Sequence, residues 1–168
     1  MMSTQSAQVT MYELLAGVVG YPTPRLAEQV EACAAQMAAL GLRGARAMAR
    51  FHSFVARTPV PALEELYTAT FDLKPVCYPY VGYQLFGDTY KRGAFLAHLN
   101  ARYREAGYTV SGELPDHLGV ILGYLARTPD GDLVAEGLVP TLRRMVEQLD
   151  GNPYRDALRA VLHVVQNQ

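Results

Sequence analysis

Apolar residues return along most of this chain at intervals of three and four, the pattern of helices that bury one face. In the first such stretch, about Val9 to Gly20, Met11, Leu14, Leu15, Val18 and Val19 make one stripe. Gly20-Tyr21-Pro22 ends it, since glycine accepts a left-handed cap and proline cannot continue the hydrogen-bond ladder. Thr23-Pro24 restarts the chain as a cap with proline in the first turn, and alanine-rich sequence runs on to Leu40. Gly41 breaks that helix, and another follows over about Arg43 to Arg57. Pro61 opens the next, which places Leu63, Leu66, Tyr67, Thr70 and Phe71 on one side and ends near Asp72.

The pattern lapses from Lys74 to Asp88, where Pro, Gly and aromatic residues concentrate, and this reads as an ordered loop with room for a short helix. Val76 to Val81 has some strand character, but Pro79 and the aromatics favour a loop. Helical spacing returns from Thr89 to Ala106 through Phe95, Leu96, Leu99 and Tyr103. Glu113-Leu114-Pro115-Asp116-His117 is expected to open a further helix, with Pro115 in its first turn and Leu118, Ile121, Leu122 and Leu125 inward. Two more are expected near Leu133 to Leu149 and Pro153 to Val165. No segment sustains a two-residue alternation between hairpin turns. The expectation is an all-α fold: one domain over residues 1–168, a bundle of about seven or eight helices, with residues 1–8 unstructured.

Composition narrows the function. The formal charge is −1, so no overall positive field draws nucleic acid. No run of apolar residues is long enough to span a bilayer, and the first ten residues are polar with no secretory pattern, so a cytoplasmic protein without membrane insertion is expected. Cys33 and Cys77 are far apart and form no CxxC pair, which favours two reduced thiols over a disulfide or zinc site.

Asp116-His117 is the sharpest polar pair. It could serve acid–base chemistry with Tyr80, but neighbours on a helix point about 100° apart and do not converge on one atom. The histidines His52, His98, His117 and His163 have no second histidine at helical spacing, and no phosphate loop or nucleophile elbow is present. No catalytic group, metal or cofactor is therefore expected. The more distinctive stretch is Tyr67 to Phe95, whose aromatics either tuck into the core or line a peptide groove. Lys91-Arg92 reads as a solvated pair.

Tyr67-x3-Phe71-Asp72, the Cys77-to-Gly93 aromatic and glycine segment, and Glu113-Leu114-Pro115-Asp116-His117-Leu118 together resemble the TorD/DmsD/NarJ family of redox-enzyme maturation chaperones. The last stretch is similar to that family's E-x-P-D-H signature, and the wording is nearest the NarJ branch, which assembles nitrate reductase. The chain has no Trp and lacks a long C-terminal extension, two departures that leave the client open between nitrate reductase and another molybdopterin oxidoreductase. The resemblance implies a non-enzymatic helical chaperone, monomer or homodimer. It would bind the N-terminal peptide of a catalytic subunit, a twin-arginine leader or its remnant, until the molybdenum cofactor is inserted, with molybdenum cofactor biosynthesis proteins as further partners. Carried over by position, the peptide-binding residues are Glu113, Pro115, Asp116 and His117, with Phe71, Tyr80 and Tyr83 as an aromatic wall. Acidic groups at Asp72, Asp88, Glu113 and Asp116 would meet client arginines. The alternatives are an accessory subunit of the reductase and a small acid–base enzyme.

Overall fold

The structure, a computed structural model, describes residues 3–167. Nine α-helices form among them: α1 Thr4–Val18, α2 Leu26–Ala39, α3 Ala45–Ala56, α4 Val60–Tyr67, α5 Val81–Phe86, α6 Tyr90–Glu105, α7 Leu118–Leu125, α8 Val139–Gln148 and α9 Tyr154–Gln166. The all-α expectation holds. α7 packs on α1, α1 on α2, α2 on α3, α3 on α9, α9 on α8, α8 on α5 and α5 on α6. One core runs through this series, with Leu15, Met37, Phe51, Leu122, Leu142 and Leu158 all buried within it. None of the described helices is long and apolar enough to cross a membrane.

Several boundaries differ from expectation for identifiable reasons. α1 begins at Thr4 rather than near Val9, because Ser3 caps it: its Oγ accepts the Ser6 N–H at 3.2 Å. Residues 4–8, expected to be unstructured, are thus helical, while residues 1 and 2 lie outside the described residues. The helix expected over Pro61 to Asp72 relaxes after Tyr67 into a π-helical turn, Thr68–Asp72. There the Leu73 N–H reaches back to the Thr68 carbonyl at 3.0 Å, and the Thr70 hydroxyl donates to the Leu66 carbonyl at 2.6 Å. The helix expected over Leu133 to Leu149 divides likewise into a π-helical turn, Leu133–Leu138, and α8. Pro140 supplies the cause, since its ring lacks an N–H and would crowd the Glu136 carbonyl in a regular α-helix.

The largest difference concerns residues 115–117. Pro115 does not open a helix: α7 starts at Leu118, and His117 is its cap, extended at φ −60° and ψ 136°. His117 forms an isolated antiparallel bridge with Tyr80. The Val81 N–H donates to the Asp116 carbonyl at 2.8 Å and the Leu118 N–H to the Pro79 carbonyl at 2.9 Å. These bonds satisfy backbone groups that a continuing helix would have paired internally.

Candidate functional site

The bridge joins the two motif-bearing segments, residues 77–83 and 113–118. Each is fixed independently. Cys77 is buried and its N–H donates to the Thr70 carbonyl at 3.0 Å, while Thr70 Oγ1 accepts from Asn152 Nδ2 at 2.9 Å in the turn before α9. The buried Gln84 donates to the Tyr78 carbonyl at 2.8 Å and exchanges amide hydrogen bonds with Gln148 of α8. Arg144 of α8 donates to the Gln84 carbonyl. On the other side, the Tyr103 hydroxyl donates to the Pro115 carbonyl at 2.7 Å.

Asp116 lies at the centre and is fully buried. Its carboxylate accepts the Gly82 N–H at 3.1 Å and both Nε and Nη2 of Arg92, at 3.0 and 3.3 Å. The same guanidinium sits over the rings of Tyr80 and Tyr83, 5.4 and 5.8 Å from their centroids. Gly82 is required here: a Cβ would stand 2.7 Å from Asp116 Oδ2 and 2.9 Å from Phe95 Cδ1. Two sequence expectations are corrected by this arrangement. Asp116 does not face a client arginine, because an internal arginine already occupies its carboxylate. Arg92 is not a solvated residue but the partner of Asp116, while Lys91 does face solvent.

His117 is also committed. Its Nδ1 accepts the Gly119 N–H at 3.1 Å, which caps α7, and its ring meets Tyr80 edge-on at 5.6 Å. Burial pushes its pKa below 6.5, partly offset by Glu113 and Asp116. Tyr80 donates to Glu113 Oε1 at 3.1 Å, and its phenol is pushed up to about 12 by burial, that hydrogen bond and the nearby carboxylates. The three groups an acid–base enzyme would need are thus an ion-paired carboxylate, a capping imidazole and a phenol that keeps its proton. The geometry gives that reading no support.

Outward from this clasp the surface changes character. Glu113 and Asp72 are exposed, Tyr80 and Tyr83 half-buried. Burial, then Glu113, Tyr80 and Asp72, raise the Tyr67 phenol to about 12, which places both carboxylates and both phenols in one neighbourhood. Tyr21 packs edge-on against Tyr67 at 5.3 Å, and Tyr67 leans on Phe71 at 5.1 Å. Phe71, expected on a groove wall, is itself buried and supports this face from behind. In the segments that carry these groups, Tyr21, Leu73, Val76, Tyr78 and Leu114 are large apolar residues left exposed, Leu73 by 71%, with Leu73 and Leu114 the chain neighbours of Asp72 and Glu113. Such a concentration beside two carboxylates is the feature that marks an interaction face. Of the sequence-expected residues, Glu113, Tyr80, Tyr83 and Asp72 reach the surface, Pro115 is half-buried, and Asp116, His117 and Phe71 stand inside. Tyr21, Leu73, Val76 and Leu114 were not anticipated. Exposed apolar residues carry no periodic signal that separates them from core.

The fold is similar to the crystal structure of a candidate redox enzyme maturation protein from Archaeoglobus fulgidus, with a TM-score of 0.66 at 19% identity, covering 95% of this chain and 93% of that one. No curated protein matches the chain in sequence. The family model for the nitrate reductase delta subunit matches residues 28–160, and the chain belongs to that family, whose members are NarJ/TorD-type chaperones.

Proposed function

We propose that this chain is a cytoplasmic chaperone of the NarJ type, which binds the N-terminal segment of a molybdopterin oxidoreductase catalytic subunit and holds it for molybdenum cofactor insertion. Nitrate reductase is the client that the family's description favours. The supporting observation is that Glu113, Asp72 and Tyr80 meet near Tyr67 in segments whose apolar residues Tyr21, Leu73, Val76 and Leu114 are left exposed. Apolar residues of the client would cover these, and client arginines would meet Glu113 and Asp72. The buried pair Asp116–Arg92 would act one step back, by holding Tyr80 and the 113–114 segment in register.

Covering about 400 Å² of apolar surface contributes about 10 kcal/mol gross at about 25 cal/mol per Å². Ordering the peptide and losing its free motion offsets much of this, which leaves micromolar to nanomolar affinity and a reversible complex. Release then requires a client state that binds less well, and the cofactor-loaded subunit would be that state. A permanent accessory subunit is the second reading, because the family is described as a subunit. Affinity purification from the native host separates the two. A chaperone brings down cofactor-free catalytic subunit, whereas a subunit remains with the mature enzyme, and recovery of no reductase at all would reject both.

A further inference from the structure

A cleft of about 320 Å³ opens between α5, α6 and the π-helical turn Leu133–Leu138. Phe86, Phe95, Leu99 and Leu133 form its apolar lining. Phe86 remains 36% exposed, with its ring edge-on to Phe95 at 5.9 Å. Phe95 also bounds the clasp, since the direction of a Cβ on Gly82 leads straight to its ring. Phe95 therefore borders both the cleft and the clasp, while none of Tyr80, Glu113 and Asp72 lines the cleft.

Its rim carries an unbalanced charge. Arg102 is turned to Asp130, which also accepts from the Tyr124 hydroxyl, so that cation is already neutralised. Asp132 and Glu136 are exposed and have no ion-pair partner among the described residues. An apolar floor beside two unpaired carboxylates complements an apolar side chain that has a cation next to it. It disfavours a phosphate-bearing cofactor or nucleotide, which would bring like charge to the rim. The volume is at the lower end for small-molecule sites, about 300 Å³, and fits a few side chains of a chain segment.

We propose that this cleft is a second docking site for the client polypeptide, taking an apolar, basic-flanked segment separate from the one on the Tyr80 face. The site rests on the chaperone reading above. It divides the hold on the client between two faces joined through Phe95, so that two moderate contacts give one firm complex while each can release singly.

The test uses three fluorescein-labelled fifteen-residue peptides with the same leucine pattern at i, i+3 and i+4, flanked by Lys, Gln or Glu. They are titrated into the full chain by anisotropy. The Lys-flanked peptide should bind at least tenfold more tightly than the Glu-flanked one. Asp132→Lys/Glu136→Lys should remove that preference, and Phe86→Ala should weaken all three peptides at least fivefold. In the Tyr80→Ala/Glu113→Gln background, where the first face is disabled, the preference for the Lys-flanked peptide should persist and should still be removed by Asp132→Lys/Glu136→Lys. All substituted positions of the cleft are at the surface, and an unchanged melting temperature verifies folding. Equal affinity for the Lys- and Glu-flanked peptides, or a preference that vanishes in the Tyr80→Ala/Glu113→Gln background, overturns the site. An authentic reductase N-terminal peptide should lose affinity in the Tyr80/Glu113 variant and not in Asp132→Lys/Glu136→Lys; if it does so while the leucine peptides show no charge preference, the second site falls and the chaperone reading stands. If no such peptide binds the wild-type chain, both fall.

Discussion

Asp116→Ala removes a fully buried carboxylate and leaves two groups behind: the Arg92 guanidinium, whose side chain is 18% exposed, and the Gly82 N–H. Breaking a buried ion pair from one side costs about 3 to 5 kcal/mol. Arg92 retains some access to water and two aromatic faces, which favours the lower end, and the orphaned Gly82 N–H adds about 1 kcal/mol. The expected loss is about 4 kcal/mol. For a chain of this size each kcal/mol moves the melting temperature by about 2 to 4 °C, so a fall of about 8 to 16 °C is expected in thermal unfolding followed by circular dichroism. Arg92→Ala should fall comparably. The double variant should lose less than the sum, with a coupling of about 2 kcal/mol or more. A fall under about 2 °C for Asp116→Ala would refute the clasp. Unchanged stability with abolished peptide binding would return Asp116 to direct client contact.

Further expectations follow from the same geometry. His117 is held neutral, because its Nδ1 accepts the Gly119 N–H and burial lowers its pKa below 6.5. Its contribution is complete above pH 6.5 and is lost as pH falls through the lower folded value, so stability should decline below about pH 6.5. His117→Asn keeps a cap acceptor and should flatten that decline in urea titrations, leaving the slope from His163, also lowered by burial. An unchanged slope would show that His117 does not titrate as argued. Gly82→Ala should destabilise by about 2 kcal/mol through the clash with Asp116 and Phe95, and a neutral effect on melting would contradict the close approach. Burial pushes the Cys33 and Cys77 thiols up to about 12, so neither should react with maleimide in the native chain at pH 8, while both should in urea. Rapid native labelling would mean that one of them opens to solvent.

The helices were legible because their apolar stripes are regular: Met11, Leu15 and Val18 are buried as their spacing implies, and so are Leu118, Ile121, Leu122 and Leu125. The boundaries at Thr4 and Leu138 turned on local features, the Ser3 cap and Pro140, but the one at Leu118 was decided by long-range bonds. Pro115-Asp116-His117 carries the local marks of a helix start, yet residues 79–81 pair with it and keep it extended, and nothing near residue 115 announces that partner. Arg92 was misread for the same cause. Its charge is satisfied by a residue 24 positions away. The structure brings the motif segments together, while the division of their residues between interior and surface needed coordinates. Glu113 is exposed and Tyr80 half-buried on the outer side of the clasp, and Asp116 and His117 are buried behind them.

The most direct measurement is calorimetric titration of the chain with the synthetic N-terminal peptide of a molybdopterin oxidoreductase catalytic subunit from the native host, at several temperatures. The account predicts saturable binding at nanomolar to micromolar concentration with a negative heat-capacity change, weakened at least tenfold by Tyr80→Ala/Glu113→Gln at unchanged melting temperature. Absence of binding, or equal affinity in that variant, would contradict it.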